Sequence, residues 1–172
     1  TCIAERIVRT IPPRRTPSHL RGVNDEIEHA EAAGDTRLIE GLHEFAETTS
    51  QRALVVILSD LFVDLSELRG AFDHLRFRKH DVSVFHLLDS QETQFEFRRP
   101  TRFVALEGEA TVFADPSEIA DRYQAAVSQY LSELKSIVLE SSIDYHQITI
   151  DEDYEQALFR FLARRNKSRG VR

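Results

Sequence analysis

The chain has 172 residues, 41% of them apolar and 30% charged, with a formal net charge of −7, one cysteine and no methionine. A chain of this length makes about one domain and buries roughly 70% of its unfolded surface without staples. The negative balance argues against a generally cationic nucleic-acid or lipid binder, a lone Cys2 excludes an internal disulfide, and no run approaches the ~18 apolar residues of a membrane span.

Ile3, Ile7 and Ile11 share one side at either period, and the β-branched content with the Pro12-Pro13 stop favours a strand. Thr16-Pro17 reads as a cap and first turn for a helix carrying Leu20, Val23 and Ile27. Gly34 ends that segment. Asp35 then suits the cap of a second helix with Leu38, Ile39, Leu42, Phe45 and Ala46 as its stripe. “ALVVILSD”, 53–60, is apolar without alternation, the pattern of a strand buried on both faces. Asp64 precedes a helix over 65–79 with Leu65, Leu68, Phe72 and Leu75. “VSVFHLLD”, 82–89, is a second apolar strand, and 90–101 reads as a loop. “RFVAL” and “ATVF” flank Gly108 as a hairpin. Asp115, Pro116 and Glu118 start a long helix with a capping box. “YHQITI” is a third strand, and Tyr154, Ala157, Leu158, Phe161 and Leu162 mark the last helix. Strands alternating with helices predict a parallel α/β sheet with helices on both faces.

Three of these strands end on an acid: Asp60, Asp89 and Asp151. Ligands of open α/β sheets bind beyond the carboxyl ends of the strands, and gathered carboxylates suit Mg²⁺. An aspartate there also caps helices and turns loops, which is the preferred reading for Asp89 and Asp151. No helix begins immediately after Asp60, so both readings stand for it. His86 lies inside a strand and reads as a packed or face-exposed residue. The seven histidines lack zinc spacing, and there is no Walker loop, GxGxxG or GxSxG. The basic clusters at Arg14-Arg15, Arg98-Arg99 and “RRNKSRGVR” read as solvated loops and a solvated end.

In order along the chain, “IPPRRTPSHL”, “GDTRLIEGL”, “RALVVILSDL”, “RKHDVSVFHLLD”, “FADPSEIADRYQ”, “SIDYHQITID” and “ALFRFLARR” resemble the bacterial domain-of-unknown-function family 58. The conserved region of that family is similar to a von Willebrand factor A domain. The resemblance covers roughly residues 3–165 and implies a three-layer, mainly parallel sheet with a hairpin insertion. It implies one domain over 1–165 and a basic disordered tail over 166–172. Von Willebrand A domains hold Mg²⁺ through an Asp-x-Ser-x-Ser loop, a threonine and an aspartate. Thr36, in “GDT”, falls on the threonine position and Asp60 on the aspartate position; the Asp-x-Ser-x-Ser loop is not in the chain. The resemblance therefore implies a partial metal site, with no cofactor held by this segment and Mg²⁺ reserved for a longer protein. It also implies that the first central strand lies upstream, leaving the 53–60 strand with an edge open to self-association.

The resemblance further implies a non-enzymatic protein–protein interaction or scaffold module. Its partner would be a MoxR-type AAA+ ATPase. The setting would be cytoplasmic, tethered to a membrane through an upstream segment while this segment itself makes no membrane contact. The alternative, from another class, is a Mg²⁺-dependent phosphoryl-transfer or phosphohydrolase enzyme using Asp60 with Asp89 or Asp151.

Overall fold

The computed structural model describes residues 2–3, 7–9, 11, 16–29, 37–105 and 111–169. The first segment, expected as one strand, is two short antiparallel strands, β1 (Cys2–Ile3) and β2 (Ile7–Arg9). Helix α1 (Pro17–Glu28) starts as its sequence dictates: the Thr16 hydroxyl accepts the His19 N–H at 3.3 Å and Pro17 occupies the first turn. Its apolar residues stay outside the core, with Leu20 and Ile27 exposed. Helix α2 (Leu38–Thr48) buries the expected stripe of Leu38, Ile39, Leu42 and Ala46. The cap expected at Asp35 lies outside the described residues, and Arg37 at the N-cap position makes no side-chain cap.

Three strands form the central parallel sheet, in the order β3 (Leu54–Ser59), β4 (Asp81–Leu88), β7 (Asp144–Thr149). Helix α3 (Leu65–Phe77) links the first two, and its start is fixed by the Asp64 carboxylate, which accepts the Ser66 and Glu67 N–H groups. The second crossover carries α4 (Ser90–Gln94), the antiparallel hairpin β5 (Thr101–Val104) and β6 (Thr111–Ala114), and α5 (Pro116–Glu140). Helix α4 lies in a segment expected as loop; Asp89 and Glu92 form a capping box around it. The hairpin turn with Gly108 lies outside the described residues. An aromatic group of Phe95, Phe97, Phe103 and Tyr123 fastens the hairpin to α5.

Leu68, Phe72 and Leu75 of α3, with Leu134, Ile137 and Val138 of α5 and the α2 stripe, pack on one face of the sheet against Val55, Ile57, Val82 and Val84. His43 of α2 and His74 of α3 meet at 2.9 Å between Nδ1 atoms. Helix α6 (Tyr154–Arg169) covers the other face. Its Phe161 ring lies 5.2 Å from Phe85 and 5.3 Å from His146. The helix continues four residues into the segment expected to be a disordered tail; 170–172 lie outside the described residues.

β4 is the strand buried on both faces, with Val82 to His86 all inaccessible. β3 departs from expectation. Val55 and Ile57 are buried, but Leu54, Val56 and Leu58 are 47%, 40% and 66% exposed. The physical reason is its position. β3 is an outer strand, its outer edge pairs with no strand among the described residues, and α6 sits over β4 and β7. The opposite outer strand, β7, is polar by comparison, with Asp144 and Gln147 exposed.

Candidate functional site

Beyond Ser59 the chain enters a tight loop at 60–63, at the carboxyl end of β3. Leu61 is fully buried with φ 55°, a left-handed conformation that costs a non-glycine residue about 1 kcal/mol or more. Polar contacts from three other elements hold it there. The Asp60 carbonyl oxygen accepts from His86 Nε2 at 2.7 Å. The Val63 N–H donates to the Leu61 carbonyl at 2.8 Å and to the Tyr130 hydroxyl oxygen at 3.2 Å. The Tyr130 hydroxyl, reaching over from α5, has the Leu61 and Val63 carbonyls as acceptors. The Leu61 N–H donates to Ser59 Oγ at 3.0 Å.

The tautomer of His86 follows from these partners. A carbonyl can only accept, so Nε2 carries the hydrogen, and the bare Nδ1 accepts from the Tyr145 hydroxyl at 2.6 Å. Burial lowers the His86 pKa below its ordinary 6.5, which keeps the ring neutral. Burial likewise pushes Tyr145 up to about 12, so its hydroxyl proton stays in place. The outcome is a rigid loop that shows two side chains to solvent: Asp60, and Phe62 at 51% exposure.

Among the described residues the candidate acids are not gathered into one cluster. Asp60 is exposed at the strand end, as its place in “ILSD” suggests. Thr36 lies outside the described residues. The Asp89 carboxylate is occupied as the cap of α4, accepting the Gln91 N–H at 2.7 Å. Asp151 is exposed in the turn after β7. No three His, Cys, Asp or Glu side chains among the described residues are grouped to hold a metal. Mg²⁺ requires several oxygen ligands in near-octahedral geometry. Of the expected pair, the described residues include Asp60 alone.

A family model described as “Protein of unknown function DUF58” matches residues 1–130. The chain belongs to the DUF58 family. No curated protein and no solved structure matches it.

In this DUF58 chain, sequence reasoning missed Tyr130 and Tyr145, the anchors of the loop. Their signal was available: a tyrosine that packs against a core needs a partner for its hydroxyl. Sequence reasoning also misplaced Arg165, read as part of a solvated end. Its side chain is 11% exposed, its guanidinium donates to Asp81 Oδ2 at 2.5 Å, and it lies 5.9 Å from the Phe161 ring centre. Residues Arg160 and Arg164 line a shallow cleft between α6 and β7 with Gln147 and Ile148. His146, stacked on Phe85 at that cleft, is held neutral first by burial and then by the nearby Arg164 charge. No helix among the described residues is long and apolar enough to cross a membrane.

Proposed function

We propose that this chain is a non-enzymatic protein-interaction module whose partner meets β3 and the loop that follows it. The observation that supports this reading is an apolar strand left open. Leu54, Val56, Leu58 and Phe62 are exposed on and beside an outer strand, next to the exposed acid Asp60. Exposed apolar side chains near a charged one are the composition of a contact site. The loop is already fixed by His86 and Tyr130, so binding has little ordering entropy to overcome.

The family resemblance suggests a MoxR-type AAA+ ATPase as partner, and a von Willebrand A-like role for the strand end. Asp60 would accept hydrogen bonds from a basic or amide group of the partner, and Phe62 would supply buried area. Titration against such an ATPase tests the reading. Asp60→Ala is expected to weaken association by about 1–3 kcal/mol, the range for one charge-assisted contact, and Phe62→Ala by a similar amount. The matched control is Arg98→Ala with Arg99→Ala, exposed and remote in sequence. Unchanged binding by both Asp60→Ala and Phe62→Ala would show that the working surface is elsewhere.

A further inference from the structure

His43 and His74 bring two imidazoles together at the junction of α2 and α3. Their Nδ1 atoms stand 2.9 Å apart and their ring centres 5.2 Å, with the ring planes tilted by 38°. The two residues are 31 positions apart in the chain, so no local spacing in the sequence marks them as a pair. Both side chains are half-buried. Core residues flank each of them: Leu42 and Ala46 on α2, Ala71 and Leu75 on α3. The packing of the two helices therefore sets where the two rings start from.

Two Nδ1 atoms at that distance need an electropositive centre between them. Two bare nitrogens repel through their lone pairs, and two N–H groups collide. One shared hydrogen satisfies the pair when the rings take opposite tautomers at Nδ1. A metal ion satisfies it with both rings in the same tautomer, Nδ1 bare and Nε2 carrying the hydrogen. The separation suits the metal. With metal–nitrogen bonds of about 2.0–2.1 Å, ligands at a right angle stand about 2.8–3.0 Å apart, whereas a tetrahedral angle spreads them to about 3.3–3.4 Å. The rim is acidic. Glu47 follows His43 by one helical turn, Glu40 precedes it on the same helix face, and Asp73 adjoins His74; all three are exposed. Opposing them is Arg78, whose guanidinium donates to the Glu47 carbonyl oxygen at 3.4 Å.

We propose that His43 and His74 bind a divalent transition-metal ion of the Cu²⁺ or Ni²⁺ class through their Nδ1 atoms, at adjacent corners of a tetragonal shell. Imidazole nitrogen selects these ions over Mg²⁺ and Ca²⁺, and right-angled coordination is their preferred geometry. No three His, Cys, Asp or Glu side chains are grouped among the described residues, so water fills the other corners. An ion held there joins α2 directly to α3 and stabilises the helical layer over the sheet. This site is independent of the contact surface proposed at β3.

The test uses the full chain in a Cys2→Ser background, which removes the one thiol that competes for such ions. Cu²⁺ is the probe in electron paramagnetic resonance, and Ni²⁺ in calorimetry and thermal unfolding. One Cu²⁺ per chain should bind, with hyperfine splitting from two nitrogens. Ni²⁺ at a hundredfold excess over its Kd should raise the unfolding midpoint by roughly 5 °C or more. His43→Gln and His74→Gln should each weaken binding about tenfold or more, abolish the midpoint shift and leave one nitrogen in the spectrum. The double variant should bind no more than about threefold more weakly than either single one, because a site that has lost one corner has little left to lose. His29→Gln, at an exposed histidine closing α1, should change nothing. Excess Mg²⁺ should not displace the ion.

Losses at His43 and His74 that simply add, a spectrum unchanged in either variant, or an equal loss in His29→Gln would each mean an adventitious ion only and overturn the proposal. Displacement by Mg²⁺ would overturn it by assigning the ion to carboxylates. Absence of binding would leave the pair as a hydrogen bond between unlike tautomers. The wild-type ligands also decide without the glutamine variants. In NMR spectra of isotope-labelled histidine, a trace of Ni²⁺ should broaden the His43 and His74 rings first, and broadening that begins at other histidines sinks the site.

Discussion

His86 sets a pH limit on the loop it supports. Its folded pKa lies below the ordinary 6.5, and those of His80 and His146 are also lowered by burial. The unfolded chain therefore takes up these protons first. Stability is complete above pH 6.5 and falls as pH drops from 6.5 toward the lower folded values. Urea midpoints measured between pH 8 and 5 should decline over that lower interval, and His86→Gln should flatten part of the decline. Tyr130→Phe removes a hydroxyl that serves the Val63 N–H and the Leu61 and Val63 carbonyls. It should cost about 1–3 kcal/mol in urea unfolding and speed hydrogen exchange at the Val63 amide. Asp60→Ala should leave the midpoint nearly unchanged, which separates the residue on display from those that hold the display in place.

At the scale of elements, the legible parts were those governed by local rules. Asp64 and Asp115 cap the helices they precede, and the α2 stripe is buried as its spacing demands. Asp115→Ala should therefore cost about 1 kcal/mol, and Phe72→Ala, from the centre of the core, about 3–5 kcal/mol. Chemical denaturation checks both. The parts that misled depend on neighbours distant in sequence. “ALVVILSD” is if anything the more apolar run, yet only “VSVFHLLD” is enclosed on both faces. An unbroken apolar run records that a strand suits a buried place, and which strand lies outermost is decided by pairing. The basic end misled for a related reason. Arg165 belongs to an α6 turn that carries it over Phe161 to Asp81, and no local pattern announces that contact. Thr36, the other residue of the expected metal pair, lies outside the described residues.

At the scale of the molecule, the three strands run in sheet order as they occur in the chain, so both crossovers step the same way. Ligand crevices of open α/β sheets form where that direction reverses. No reversal occurs among the described strands. The features that reach the surface at the carboxyl end of β3 are instead an acid, an aromatic ring and the apolar row leading to them.

The two rims of this sheet are unlike. β3 offers valine and leucine, whereas β7 offers Asp144 and Gln147 beneath a helix flank carrying Arg160 and Arg164. Each rim could in principle nucleate a further strand, and a slab sticky on both sides would grow without end. Polar and charged groups along one rim remove that freedom. Along β3 no such guard stands, and Leu54, Val56 and Leu58 are exposed in a row. The difference between the rims thus directs contact to the β3 side and keeps the sheet from extending at both edges.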